Sequence, residues 1–172
     1  MSTAPAPTAA RSASTHPPLF RLEGGLAGGP QPTRAGLERL ARLGFRSILN
    51  LSAEGEPLAP LSPNVEASWA HALDLVHERL SLFHDQLRAE HVELFRAALA
   101  RLPRPTFVGS LTGQRAAAFL TLELALARGY TAEVALEAAR GQGLEFDDER
   151  LRRFVQAELL RRTAAPLPSA ES

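Results

Sequence analysis

The residues best suited to chemistry in this chain are Gly109-Ser110-Leu111-Thr112-Gly113-Gln114-Arg115. They follow a strand-like run over 105–109 and open a stretch, 114–128, that is apolar almost all round. A turn between the carboxyl end of a strand and the start of a helix aims several backbone N–H groups into one small space. Those donors and the helix dipole favour an anion. Gly113 lets the backbone fold tightly. Thr112 brings a hydroxyl, and Arg115 brings a planar fork that can grip a phosphate or sulfate through two hydrogen bonds. The spacing alone slightly favours a plainer arrangement, with Ser110 and Thr112 capping the helix and Arg115 in a surface ion pair.

Other reactive groups are sparse. Four of the five histidines stand at 71, 77, 84 and 91. On one continuous helix, His77, His84 and His91 would share a face and could ligate a metal. The apolar pattern instead breaks across a strand, a loop and a helix there, so no metal site is expected. His84, next to Asp85, is the one histidine placed to act as a base toward Ser110; its plainer reading is a surface residue. Gly109 precedes Ser110 directly, which misses the G-x-S-x-G turn of a serine hydrolase. The chain has no cysteine and no lysine, so all 19 basic residues are arginine. Thiolate nucleophiles, thiolate metal sites, Schiff-base chemistry and a lysine-bearing phosphate loop are thereby excluded.

The elements that must hold this loop can be read in order. Leu19–Leu22 reads as a short strand, and glycines at 24, 25, 28 and 29 suggest a hairpin around a small strand at Leu26-Ala27 rather than a dinucleotide loop. Thr33 caps a helix whose apolar face is Leu37, Leu40 and Ala41, ended by Gly44. Phe45–Leu51 is a buried strand, and 52–63, with three prolines, is a loop. An amphipathic piece spans Val65–Leu73, and Leu75–Phe83 alternates as a strand, ahead of a loop at His84-Asp85-Gln86. Glu90–Leu102 is a helix closed by Pro103, with Val92, Phe95, Leu99 and Leu102 on one face. After the helix over 114–128, Thr131 caps another to about Arg140, and Asp147 or Asp148 caps the last, with Leu151, Phe154, Val155 and Leu159 inward. Trp69 is expected to pack, and Arg152-Arg153 and Arg161-Arg162 to form a solvated face. Strands alternating with helices early, then helices alone, predict an α/β domain with a short, mostly parallel sheet flanked by helices and an extra C-terminal helix.

Composition narrows the classes. At 172 residues, 45% hydrophobic and 22% charged, the chain is expected to form one globular domain over 19–162, with disordered tails at 1–18 and 163–172. Zero formal net charge offers no field for nucleic acid or an anionic membrane surface. No apolar run is long enough to span a membrane, and the N-terminal tail lacks the apolar core of a signal peptide, so a cytoplasmic location is the default expectation. Oligomeric state is not readable.

From about Phe20 to Arg140 the sequence resembles the beta-lactamase-hydrolase-like phosphatase-like domains. These form a bacterial branch of the cysteine-dependent tyrosine and dual-specificity phosphatases. Gly28-Gly29-Pro30-Gln31-Pro32-Thr33 is similar to that family's Gly-Gln-Pro entry to its first helix, and Leu43–Leu51 to the strand that follows. Glu54 and Glu56 stand where acidic residues usually come next. The family's active loop reads H-C-x-[ST]-G-x-R. Here Thr112, Gly113 and Arg115 match, while Gly109 takes the place of the His and Ser110 that of the Cys.

The resemblance implies a three-layer tyrosine-phosphatase-like fold without a cofactor. It also implies a phosphate or phosphorylated ligand, small molecule or protein, held by residues 110–115: Ser110, Leu111, Thr112, Gly113, Gln114 and Arg115. Catalytic roles would fall to Ser110 at the nucleophile position, Arg115 as clamp and Asp85 as the acid that protonates the leaving oxygen. Asp85 also reads as a solvated loop carboxylate. A serine hydroxyl stays protonated unless a base takes its proton, so binding with lost or weak turnover is the expectation. Residual phosphoester hydrolysis by Ser110 or water, and a non-catalytic partner-binding domain, are the alternatives. A rhodanese-like sulfur carrier fits less well, since its loop too depends on cysteine.

Overall fold

The computed structural model describes residues 19–164. The tails expected at 1–18 and 163–172 lie outside those residues, except that the last helix continues to Ala164. Among the described residues five strands form one sheet: β1 (Phe20–Leu22), β2 (Leu26–Pro30), β3 (Ser47–Asn50), β4 (Val76–Arg79) and β5 (Thr106–Ser110). Their spatial order is β1-β2-β5-β3-β4. β1 and β2 are an antiparallel hairpin turned at Gly24 and Gly25, both at positive φ. All other pairings are parallel.

Six helices of the described residues cover the faces: α1 (Arg34–Arg42), α2 (Pro63–Ala72), α3 (Ala89–Arg101), α4 (Gln114–Arg128), α5 (Ala132–Gly141) and α6 (Glu149–Ala164). One core cluster, with Leu37, Leu40, Ile48, Ala70 and Phe107, lies under α1 and α2. The larger one, under α3 to α6, includes Leu49, Phe95, Val108, Phe119 and Leu151. The result is the three-layer arrangement expected from the sequence.

Local chemistry explains the elements. Thr33 accepts from the Gly36 amide and Thr131 from the Val134 amide, capping α1 and α5 as expected. Of the two acids offered for the last cap, Asp148 serves: its Oδ1 accepts from the Arg150 and Leu151 amides at 2.9 and 3.1 Å. Pro63, expected in a loop, begins α2, where its missing N–H costs nothing.

β4 is shorter than the predicted Leu75–Phe83, because the ladder stops at Asn50↔Arg79 and one further bond from the Leu80 amide. Val76 opens this edge strand and is exposed. Trp69 packs beneath the Arg34 guanidinium, 3.7 Å from its ring centroid. The arginines of α6 are not uniformly solvated. Arg162 is largely covered and ties Glu158 to Glu93 of α3, which holds the Glu93 carboxyl below its ordinary value.

β5 is the central strand and is buried throughout. α4 follows it at once and is buried without interruption from Arg115 to Leu122. Phe119 links the layer, with its ring 5.3 Å from that of Phe95 and 5.7 Å from that of Phe154. Gly28 permits the approach of α4 to β2, since a Cβ there would come within 2.5 Å of Leu120 Cδ1. Among the described residues no helix is long and apolar enough to cross a membrane.

Candidate functional site

In a parallel sheet the space beyond the carboxyl ends of the strands is where loops and helix N-termini converge. β5 ends there between β2 and β3, and both neighbours hold its last residues. The Gln31 amide donates to the Ser110 carbonyl at 2.7 Å, and the Leu51 amide to that of Gly109 at 2.7 Å. The chain then turns through Leu111 and Thr112 into α4, with the Gly113 amide donating back to the Ser110 carbonyl at 3.0 Å. Gly113 has φ +86°, and a Cβ there would lie 2.9 Å from the Pro30 nitrogen. That is a backbone clash as well as a strained conformation, so the turn needs glycine.

The amides of Leu111, Thr112, Gln114 and Arg115 have no acceptor among the described residues. They form a set of free donors at a helix N-terminus. Ser110 is fully buried, and its Oγ accepts from the Ala116 amide at 3.2 Å. Half of the plainer arrangement therefore holds: Ser110 caps α4, whereas Thr112 is exposed and makes no cap.

Arg115 is not in a surface ion pair. It is 2% exposed; Nη2 donates to both Glu56 oxygens at 2.5 and 2.6 Å, and Nη1 donates to the Leu82 carbonyl at 2.5 Å. These contacts lock the guanidinium from the side of the 52–62 loop and of the segment after β4. Its Nε–H has no partner among the described residues. Gln114 turns outward, and its Oε1 accepts from the Asp147 and Asp148 amides at 3.2 and 2.9 Å.

Asp85 is exposed in the turn at 84–86, three residues beyond the Leu82 carbonyl that holds Arg115. His84 does not bond Ser110; its Nδ1 meets Asp148 Oδ2 at 3.3 Å. Burial pushes the Asp148 carboxyl up, but the Leu151 and Arg150 amides and His84 together hold it below its ordinary value. Among the described residues the four histidines lie on α2, β4, the turn and α3. No cluster of metal-ligating side chains occurs among the described residues.

Beside the loop lies a polar network that the sequence reading missed. Glu66 of α2 is fully buried, and its Oε2 accepts from Gln31 Nε2 at 2.9 Å and from Asn50 Nδ2. Its Oε1 faces His77 Nε2 at 3.7 Å, beyond hydrogen-bond range, and both atoms are buried without a partner among the described residues. Asn50 Oδ1 accepts from the Ser52 amide at 2.8 Å, and Ser52 Oγ donates to Gln31 Oε1 at 3.3 Å. One acid on an otherwise ordinary amphipathic helix carries no distinctive spacing. Only its place over Gln31 and Asn50 reveals it.

The comparisons with known proteins agree with this fold. Solved structures of similar fold include the candidate phosphatase nma1982 of Neisseria meningitidis, at 20% identity and TM-score 0.68 over 81% of this chain and 96% of that one. TpbA of P. aeruginosa, in complex with phosphotyrosine, matches at 20% identity and TM-score 0.61 over 82% of each chain. The catalytic core of the S. cerevisiae phosphatase SIW14, acting on PP-IP and bound to citrate, matches at 14% identity and TM-score 0.64 over 88% of this chain and 94% of that one. At these identities the likeness establishes the fold. No curated protein gives a significant match. Residues 19–127, which carry the whole sheet and the 110–115 loop, match the family model "Beta-lactamase hydrolase-like protein, phosphatase-like domain". The chain belongs to that phosphatase-like family.

Proposed function

We propose that the loop at 110–115 binds phosphate or the phosphoryl group of a phosphorylated ligand, and that turnover at it is weak or lost. The observation carrying this reading is the set of free amides at Leu111, Thr112, Gln114 and Arg115, with the free Arg115 Nε–H beside them. An oxyanion there would take up donors that otherwise lack partners, in the field of the α4 N-terminus. The phosphotyrosine held by TpbA makes an aryl phosphate the natural first probe.

The reading of weak turnover rests on Ser110. Its oxygen already accepts from the Ala116 amide, and no base lies within hydrogen-bond reach among the described residues. A serine hydroxyl so placed remains protonated. The test is a tungstate soak with a parallel calorimetric titration. The anion is expected against the 111–115 amides and Arg115, with affinity lost in Arg115→Ala. An empty loop, or binding indifferent to Arg115, overturns the proposal.

A second reading, residual phosphoester hydrolysis, is favoured by one contact. The Leu82 carbonyl bonded to Arg115 fixes the start of the segment that leads to Asp85. In that reading Asp85 protonates the leaving oxygen while Ser110 or water attacks. Hydrolysis of an aryl phosphate that falls in both Asp85→Asn and Ser110→Ala would favour it over the first.

A further inference from the structure

A cavity of about 270 Å³ opens beside the loop, beyond the carboxyl ends of β2, β3 and β4. Its wall includes Gln31, Asn50, Ser52, Glu56, Leu58 and Arg79. Three of these polar side chains are themselves almost wholly buried: Gln31 is 5%, Asn50 2% and Ser52 3% exposed. The Glu66 carboxylate beneath them fixes the Gln31 and Asn50 amides by direct hydrogen bonds. Buried polar groups held in one orientation cost desolvation that an apolar lining would avoid. Such a wall suits a polar ligand better than it serves the core.

The charge on the wall is specific. Glu56 is the one carboxylate lining the cavity, and it is committed to Arg115. Arg79 is the one cation lining it, and no carboxylate is paired with it among the described residues. Its guanidinium donates only to the Ser52 carbonyl, from Nε at 3.4 Å and Nη2 at 3.2 Å. Glu56 is engaged by Arg115, and the Glu66 carboxylate lies behind the Gln31 and Asn50 amides, which leaves Arg79 as the cation facing the cavity without a carboxylate partner among the described residues. Arginine in that state is suited to a carboxylate or phosphate.

The register sets the reach. Arg79 pairs with Asn50, and Asn50 with Gly109, the residue before Ser110. Two strand spacings of about 4.8 Å put the Arg79 backbone roughly 10 Å from the start of the loop. Glu56 is the shared wall, touching Arg115 on one side and lining the cavity on the other.

We propose that the Arg79 cavity holds the second anionic group of a ligand whose phosphate sits at the 110–115 loop. The preferred ligand is then a small molecule with two anionic groups roughly 10 Å or less apart, not a simple phosphomonoester. This rests on the loop reading above and names the ligand class for it.

The test is calorimetry on the full chain with inorganic phosphate, fructose 6-phosphate and fructose 1,6-bisphosphate. The bisphosphate is expected to bind at least about tenfold tighter than the monophosphate, with the preference shrinking as salt rises. In Arg79→Gln, which keeps a donor for the Ser52 carbonyl, the preference should fall to about the twofold statistical advantage of two equal phosphates, while inorganic phosphate binds as before. Equal affinity for the two sugars in the wild-type protein overturns the cavity alone, without recourse to any variant. A preference that survives Arg79→Gln also overturns it. Failure of inorganic phosphate and both sugars to bind overturns the loop reading and this one together.

Discussion

Ser110 and Gly109 are the last two residues of β5, and their surroundings differ. Ser110 sits with its oxygen at the start of α4, accepting the Ala116 amide at 3.2 Å. A thiolate at that point would receive the same amide and the helix dipole, both of which stabilise its charge. Ser110→Cys is therefore expected to raise hydrolysis of p-nitrophenyl phosphate at least about tenfold, a change of ~1.4 kcal/mol in the barrier. Rates no higher than wild type would show that more than the nucleophile is missing. Adding Gly109→His is less clean. A Cβ at 109 lies 3.1 Å from Phe107 Cε1 and 3.6 Å from Pro32 Cδ, so the ring must shift. Overpacking of this kind costs about 1–3 kcal/mol, so the double variant should melt lower than Ser110→Cys alone.

At the scale of elements, the 110–115 loop is braced by contacts that run through Gln114 and Asp148. Gln114 accepts the Asp147 and Asp148 amides, and Asp148 caps α6 while meeting His84 of the turn that bears Asp85. The Asp148 carboxyl is held below its ordinary value in the folded protein. A depressed acid contributes stability that is present above its unfolded pKa, about 3.9, and is lost as pH falls through the lower folded value. Asp148→Ala should therefore cost about 1 kcal/mol at neutral pH, the usual worth of such a cap. The gap between the wild-type and variant melting curves should narrow as the pH is taken below about 4. A gap that stays constant down to pH ~2 would mean that the carboxylate is not the source of the stability.

For the whole molecule, the decisive feature is that α6 completes the layer over α4. Leu151 and Val155 are fully buried and Leu159 is 2% exposed. At ~2 kcal/mol for each buried side chain, their removal forfeits about 6 kcal/mol, comparable to the 5–15 kcal/mol net stability of a typical domain. The family match ends at residue 127, ahead of α5 and α6. A chain ended after residue 146 keeps that matched region, yet it is expected to lose cooperative unfolding and to bind a hydrophobic dye. A sharp thermal transition in that shortened chain, followed by circular dichroism, would refute the dependence.

The elements were legible in the sequence because they rest on local signals. Thr33 and Thr131 as caps, the span 114–128 as a helix and the hairpin glycines at 24 and 25 follow from backbone preference and apolar period. The loop could be singled out on the same basis, since Gly113 and Arg115 have a fixed spacing from a strand end and a helix start. Partners distant along the chain could not be read. Arg115 meets Glu56 from 59 residues away and Leu82 from 33, and Glu66 meets Gln31 from 35. The family likeness marks Glu54 as readily as Glu56, nothing local marks Glu66, and nothing marks Arg79 as an arginine without a carboxylate partner among the described residues. Such pairings depend on which strand ends lie side by side, and the order β2-β5-β3-β4 exists only once the sheet has formed. The sequence by itself determined a strand, an anion-ready turn and a helix with serine at their junction. The tertiary structure decided what holds its arginine, what occupies its serine and which cavity opens beside it, because those depend on contacts between segments far apart in the chain.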